Sequence, residues 1–122
     1  EHTHFGFNKE GSAYSNLQKA RKFLTSNGVP AEKVTATNPD KDDVSAIAPV
    51  DLAVSFLACG FHFPVDLYME FFDRNVAKNG RIMLDLRNAK RTQQINTLSS
   101  LGKVEILSER NNRARVLVTK GG

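Results

Sequence analysis

His62 is the residue of this sequence whose type and position best suit proton transfer. It comes four residues after the apolar segment 50–58, and open α/β folds bind their ligands beyond the carboxyl ends of such strands. The unperturbed pKa of imidazole lies near neutrality, so His62 could act as a general base at physiological pH. Packing between its neighbours Phe61 and Phe63 is the competing interpretation, which the sequence leaves open.

The other groups with reactive chemistry give weaker signals. Cys59 is the only cysteine, which excludes an internal disulfide, and nothing in its sequence surroundings lowers the thiol pKa, so we expect a buried filler. His2 and His4 have the spacing of metal ligands on one strand face, but no third ligand is near, so no metal site is predicted. Asp85 interrupts an apolar strand and, if buried, needs a partner such as Arg87 or a backbone donor.

The composition of the chain is typical of a single globular domain. Its 122 residues are 40% hydrophobic and 25% charged, values close to the average for folded proteins, which excludes general disorder. No apolar run approaches the roughly 20 residues that cross a bilayer, and no secretory or transit pattern opens the chain. We therefore expect one domain over residues 1–122, in the cytoplasm and without a membrane partner.

Positive charge is concentrated in the C-terminal part of the chain. Residues 1–73 carry 6 basic and 10 acidic side chains, whereas residues 74–122 carry 11 and 3, so the two parts have net charges of −4 and +8. The basic residues form no dense run, and no aromatic residue that could stack on a base follows Phe72. A nucleic-acid partner is therefore not expected. A solvated basic surface and an anionic ligand or partner are the two interpretations.

Strand-like segments alternate with helical ones along the chain. Strands are predicted over residues 4–7, 33–37, 50–58, 81–86, 103–108 and 115–119. Helices are predicted from a capping box at Ser15 to Asn27-Gly28, from Pro64 to Asn79-Gly80, and over the stretch that Gly102 closes. The strand at 50–58 is apolar at nearly every position, which predicts burial on both faces. With the last two strands as an antiparallel pair, the predicted architecture is a three-layer α/β sandwich.

The segment 50–87, VDLAVSFLACGFHFPVDLYMEFFDRNVAKNGRIMLDLR, resembles class I S-adenosylmethionine-dependent methyltransferases. That family has a strand of the form D-L-V-hydrophobic-S, a substrate-facing loop, a helix, and then G-G-R-hydrophobic-hydrophobic-L. The sequence NGRIML (79–84) resembles the last motif, GFHFP (60–64) matches the loop, and the two final strands resemble the family's terminal antiparallel pair. The resemblance implies a Rossmann-like methyltransferase fold and O-methyl transfer from S-adenosylmethionine to a small molecule.

The resemblance also implies roles for individual residues. His62 would accept the proton of the small-molecule acceptor. Asn8 falls where an acidic residue usually grips the cofactor ribose, and its amide can still hydrogen-bond hydroxyls. Asn38 ends the strand at which adenine contacts usually lie, with a plain Asn-Pro turn as the alternative. Ser55 and Phe56 lie on the strand that leads to the methyl-transfer region, with a place in the sheet core as the alternative.

The glycine-rich E-x-G-x-G loop that ends the family's first strand has no counterpart in this sequence. Matched by element, the chain begins at the family's second strand and lacks the first strand and helix, as in an N-terminally truncated domain. The missing strand would be central, and its absence leaves hydrophobic sheet edges that invite association, so we expect either a rearranged sheet or a homodimer through those edges. Two functions follow: a methyltransferase whose cofactor loop comes from an upstream region or another chain, or a non-catalytic, dimeric binding or structural module.

Overall fold

The computed structural model of the chain describes residues 7–38, 41–56 and 58–121, with side chains from residue 16 onward. The chain forms two compact units, Glu1–Val44 and Ser45–Gly122. The single domain expected over residues 1–122 stays a prediction. Within the described ranges, no helix combines the length and the apolar character that spanning a bilayer requires.

The first unit is built on helix α1 (Phe7–Ser26). Asn27 and Gly28 end this helix, as predicted: the Asn27 side-chain amide donates to the carbonyl oxygen of Phe23 over 2.7 Å, and Gly28 has the left-handed φ of 100° that a helix stop requires. The start of the helix differs from the prediction, because the expected cap, Ser15, lies inside it.

Helix α1 also replaces the first predicted strand. Residues 4–6 lie outside the described residues, but Phe7 begins the helix, so the strand predicted over 4–7 is wrong at its last residue. Asn8 consequently lies in the first turn of a helix and not at the end of a strand. Its expected contact with a cofactor ribose stays a prediction, but the strand-end position on which that expectation rested is wrong.

The strand predicted over residues 33–37 is also wrong. Ala31–Lys33 forms a single 3₁₀ turn, and residues 34–38 have no regular structure. The Arg21 guanidinium donates to the carbonyl oxygens of Ala31, over 3.2 Å, and of Val34. These backbone acceptors are therefore satisfied by a side chain of α1 and need no neighbouring strand.

The second unit contains a four-stranded sheet in the order β1-β2-β4-β3. Its elements are β1 (Val50–Ser55), α2 (Met69–Asn75), β2 (Val76–Arg87), α3 (Arg91–Leu98), β3 (Gly102–Glu109) and β4 (Arg113–Lys120). β1 and β2 are parallel, whereas β4 is antiparallel to both β2 and β3. The predicted terminal antiparallel pair is confirmed, and residues 110–112, which include Asn111 and Asn112, connect its two strands.

Both helices of this unit cover the same face of the sheet. Leu84 and Leu86 of β2 are fully buried, and they form one core with Phe72 of α2 and Leu98 of α3. Side chains alternate across a strand, and directly opposite residues share a face. The pairing of Leu84 with Val116 therefore brings β4 into the same core.

The opposite face of the sheet carries exposed apolar side chains on β1. Leu52 is 54% exposed and Val54 is 49% exposed, so the prediction that this strand is buried on both faces is wrong. A continuous apolar run indicates burial without saying how many faces are covered. Among the described residues of this unit, helices cover one face of the sheet, and the three-layer sandwich of a Rossmann-like fold stays a prediction.

The first half of β2 is irregular. Its ladder with β1 advances from residue 76 to residue 81 while β1 advances only from residue 50 to residue 52. Within this bulge Asn79 has a φ of 68°, and a Cβ atom on Gly80 would lie 2.7 Å from the carbonyl oxygen of Ala77. The Asn79-Gly80 pair is therefore a kink inside a strand, and not the end of the preceding helix, which stops at Asn75.

Leu84→Ala should lower the free energy of unfolding by about 3 kcal/mol, because it leaves a cavity in the core. Leu107→Ala is the matched control, since it makes the same change in the same sheet at a side chain that is 49% exposed. Its effect should stay within about 0.5 kcal/mol. Chemical denaturation of both variants measures the difference, and equal losses would contradict the assignment of the core to the helix-covered face.

Candidate ligand-binding site

The loop that follows β1 encloses a cavity at the carboxyl ends of two parallel strands. β1 ends at Ser55 and β2 ends at Arg87, and their parallel pairing brings both ends to the same edge of the sheet. The cavity, here named the loop cavity, has a volume of about 260 Å³. Its lining residues are Gly60, Phe61, His62, Phe63, Pro64, Arg87, Lys90 and Gln94. This is the position at which open α/β sheets bind ligands.

A tight backbone reversal shapes the loop. The Gly60 amide donates to the carbonyl oxygen of Phe63 over 2.6 Å, and the Phe63 amide donates to that of Ala58 over 2.9 Å. Gly60 has a φ of 89°, and a Cβ atom there would lie 2.6 Å from a methyl carbon of Leu86. Glycine is therefore required at this position, both for its backbone conformation and for the close approach of the loop to β2.

The buried side chain of Gln94 joins helix α3 to the loop. Its Nε2 donates to the carbonyl oxygen of Gly60 over 2.7 Å, and its Oε1 accepts from the Val65 amide over 3.0 Å. The Arg87 amide also donates to the Gly60 carbonyl oxygen, over 3.1 Å. Both polar ends of Gln94 are thus satisfied by loop backbone, and the Val65 amide would otherwise be buried without a partner.

The loop cavity has a positive lining. Arg87 and Lys90 are its two cationic side chains, and the described lining contains no carboxylate. The Arg87 guanidinium lies 4.3 Å from the centre of the Phe61 ring, and its Nε donates to the Phe61 carbonyl oxygen over 3.3 Å. This cation–π contact and hydrogen bond hold Arg87 at the cavity wall. An anionic group is the ligand chemistry that such a wall favours.

His62 lies where the sequence predicted, beyond the carboxyl end of a strand and in the wall of a cavity. Its side chain is exposed, and its ring meets the Phe61 ring edge to face, with 5.2 Å between the centroids. The competing expectation, a histidine packed between Phe61 and Phe63, does not describe this arrangement, because Phe63 is itself 52% exposed. The imidazole is accessible to a molecule in the loop cavity, and its role as a base stays a prediction.

The four residues expected to contact the cofactor are divided between the two units. Asn8 and Asn38 belong to the first unit. The backbone amide of Asn38 donates to a carboxylate oxygen of Asp42 over 2.8 Å. Ser55 and Phe56 belong to the second unit, but neither lines the loop cavity. The Ser55 hydroxyl accepts from the Cys59 amide over 3.0 Å, which is a structural contact of the loop. The cofactor roles of these residues stay predictions.

The partner of Asp85 is Arg115 and not the suggested Arg87. The Arg115 Nε and Nη2 atoms donate to the two carboxylate oxygens over 2.8 and 3.1 Å. The two residues are directly opposite each other in the β2–β4 ladder, whereas Arg87 is turned towards Phe61. The hydrogen bond to Asp85 raises the pKa of the Arg115 guanidinium.

Cys59 is the buried filler that the sequence predicts. Burial raises the pKa of its thiol to about 12, so the thiol is protonated at neutral pH and is not a nucleophile. No group of three or more histidine, cysteine, aspartate or glutamate side chains that could hold a metal ion occurs among the described residues. His2 and His4 lie outside them.

Three features of the cavity wall were not predicted from the sequence: Gln94, Lys90 and the cavity role of Arg87. A signal for Gln94 was available, because it precedes Leu98 by four residues and therefore lies on the apolar face of the helix. A polar residue at such a position needs a buried partner. No comparable signal marked Lys90, whose place in the cavity wall depends on how the chain turns between β2 and α3.

Comparison with known proteins identifies no relative of this chain. No protein-family model, no curated protein and no solved structure matches the chain. The resemblance to class I methyltransferases therefore depends on the sequence pattern alone.

Gln94→Leu should destabilise the protein by about 2–4 kcal/mol, because it leaves the Val65 amide buried without a partner and takes one donor from the Gly60 carbonyl oxygen. Gln93→Leu, the same change at the exposed neighbouring position, is the control and should have little effect. Urea denaturation measures both variants, and hydrogen exchange at Val65 reports the loop directly. Unchanged exchange in Gln94→Leu would contradict the role of this side chain in holding the loop.

Proposed function

We propose that the second unit is the acceptor-binding half of a methyltransferase-like domain and that its loop cavity binds a small molecule. The observation that carries the proposal is the chemistry of the cavity wall. Two cations, an accessible imidazole and two phenylalanine rings meet at the carboxyl ends of two parallel strands. The methyltransferase resemblance assigns the acceptor to the same loop, so the geometry and the sequence pattern favour one location.

The wall favours a planar acceptor that carries both a hydroxyl and a carboxylate. Arg87 and Lys90 would bind the carboxylate, Phe61 and Phe63 would contact an aromatic ring, and His62 would accept the hydroxyl proton. Pockets for drug-sized ligands usually exceed about 300 Å³, and the loop cavity, at about 260 Å³, is smaller. A single-ring phenolic acid is therefore the acceptor class that the cavity fits best.

The described residues of the second unit do not fit the methyl donor. The Ser55 hydroxyl is engaged by the Cys59 amide, and the Arg115 guanidinium occupies one face of the Phe56 ring, 4.2 Å from its centre. No glycine-rich cradle occurs in the sequence of this unit. S-adenosylmethionine supplies an electrophilic methyl group wherever it is bound. In this proposal its cradle comes from an upstream region or from another chain.

A non-catalytic, dimeric module is the second candidate, and the edge of β1 favours it. Among the described residues of the second unit, β1 pairs with β2 on one side only. Its exposed residues Leu52 and Val54 give this edge an apolar surface. Edges of this kind pair with strands of other chains unless charge or proline blocks them. In this candidate function the loop cavity binds its ligand without modifying it.

4-Hydroxybenzoate should bind in the loop cavity of the intact chain, which NMR titration of the backbone amides can test. Shifts are expected at residues 60–64 and 87–94. Lys90→Gln should weaken binding roughly tenfold, because it removes a charge-assisted hydrogen bond. Lys103→Gln removes the same charge from β3, away from the cavity lining, and should leave binding unchanged. Shifts scattered over the surface, or equal losses in the two variants, would contradict the acceptor site.

Titration of the same chain with S-adenosylmethionine or its demethylated product in a calorimeter tests the location of the donor cradle. We expect no heat of binding up to millimolar concentration. Tight binding would contradict the assignment of the cradle to another chain or segment. It would also argue against the non-catalytic candidate.

Light scattering at increasing protein concentration tests the dimer. The expected species is a homodimer, and Leu52→Lys should shift it towards monomer, because lysine on an edge strand opposes pairing. Leu67→Lys adds the same charge at a side chain that is 66% exposed and lies outside the sheet. A monomeric wild-type protein at high concentration, or an equal effect of the two variants, would rule out association through β1.

A further inference from the structure

A cluster of arginines lies where β3 turns into β4. It surrounds a second, smaller cavity of about 60 Å³. A water molecule in the liquid occupies roughly 30 Å³, which is about half of that volume. This arginine cluster consists of Arg110, Arg113, Arg115, Asp85 and Ser108. It shares no lining residue with the loop cavity. Three arginines and one aspartate give it a net charge of +2.

Asp85 fixes the orientation of one of these guanidinium groups. The carboxylate is only 2% exposed, and it binds the Nε and Nη2 atoms of Arg115 over 2.8 and 3.1 Å. The Cζ atom of the same guanidinium lies 4.2 Å from the centre of the Phe56 ring. The remaining N–H groups of Arg115 are unused by Asp85, and their direction is set before any ligand arrives.

The other two arginines have no acidic partner among the described residues. Neither Arg110 nor Arg113 forms an ion pair with any residue that the structure describes. Their backbones are held by the hairpin, since the Arg110 amide donates to the carbonyl oxygen of Arg113 over 2.8 Å. Asn88 adds a side-chain hydrogen bond to the Arg110 carbonyl oxygen over 3.2 Å. Two unneutralised guanidinium groups are thus kept beside a third that is already oriented.

We propose that the arginine cluster is a binding site for the phosphate dianion of a small phosphate monoester. A dianion neutralises the net charge of +2, and its oxygens offer enough acceptors for several guanidinium groups together with the Ser108 hydroxyl. A carboxylate has one negative charge and would leave the cluster positive. The site is separate from the loop cavity and does not rest on the proposed methyltransferase-like function.

A single-stranded nucleic acid is less compatible with the same cluster. Proteins that bind single strands combine basic grooves with exposed aromatic rings on which bases stack. The Arg115 guanidinium already occupies one face of the neighbouring Phe56 ring. No aromatic residue occurs in the sequence after Phe72. At about 60 Å³, the cavity is also small for a run of phosphates.

Calorimetry and thermal unfolding of the intact chain with inorganic phosphate, at constant ionic strength set by chloride, test the site. Phosphate should bind at one site and raise the melting temperature, because it binds only the folded protein. Arg113→Gln and Arg110→Gln should each weaken binding roughly tenfold. Arg74→Gln removes the same charge from an exposed ion pair on α2 and should leave it unchanged. An equal loss in Arg74→Gln, or no binding at millimolar phosphate, would overturn the proposal.

Three further arms identify the ligand class and the location. Glycerol 3-phosphate should bind at least as tightly as inorganic phosphate, and its failure to bind would overturn the assignment to a monoester. If a labelled single-stranded oligonucleotide binds more tightly, with steep salt dependence and loss in Arg113→Gln, the ligand is a nucleic-acid backbone and the small-molecule class is wrong. If Lys90→Gln weakens phosphate binding and Arg113→Gln does not, phosphate occupies the loop cavity instead.

Discussion

The alternation of side chains along β2 is the constraint on which the second unit depends. This strand is hydrogen-bonded to β1 on one side and to β4 on the other. Leu84 and Leu86 lie in the core that the helices cover, Asp85 lies on the opposite face, and Arg87 reaches the loop cavity. A slip of one residue in either ladder would exchange the two faces and bury Asp85 among apolar side chains. The same register that builds the core therefore also positions both candidate sites.

The loop cavity combines a rigid base with accessible walls. Gly60 and Gln94 are buried and joined by a hydrogen bond, whereas His62, Phe63 and Lys90 are exposed. The groups that determine the backbone path are thus distinct from the groups that can meet a ligand. Because hydrogen bonds to Gln94 and Arg87 hold the loop backbone, the conformational entropy lost on binding comes mainly from the exposed side chains. The side chains at the wall can vary in chemistry without loss of the loop conformation.

The sequence predicts local structure well where neighbouring segments pair, and less well where distant ones do. The final hairpin and the burial of Cys59 follow from local pattern alone. The apolar run that contains Leu52 and Val54 could not reveal that β1 is exposed on one face, because its covering depends on elements remote in sequence. The Asn79-Gly80 pair has the composition of a helix stop and of a strand kink, and only the pairing of β2 with its neighbours decides between them. The sequence pointed to His62 as a candidate site residue. The cationic wall of the loop cavity could be identified only from the fold, which brings Arg87 and Lys90 together there.

The bulge at the start of β2 places residues that are unpaired with β1 between helix α2 and the regularly paired part of the strand. Residues 77–80 leave the ladder with β1, while the pairing from residue 81 onward is regular on both sides. Lys78 and Asn79 are exposed there. Additional residues in the bulge would lengthen this unpaired segment without shifting Leu84 or Asp85 relative to their partners. The bulge therefore separates the length of the α2–β2 connection from the alignment of the sheet, so a change of length there would leave both cavities in place.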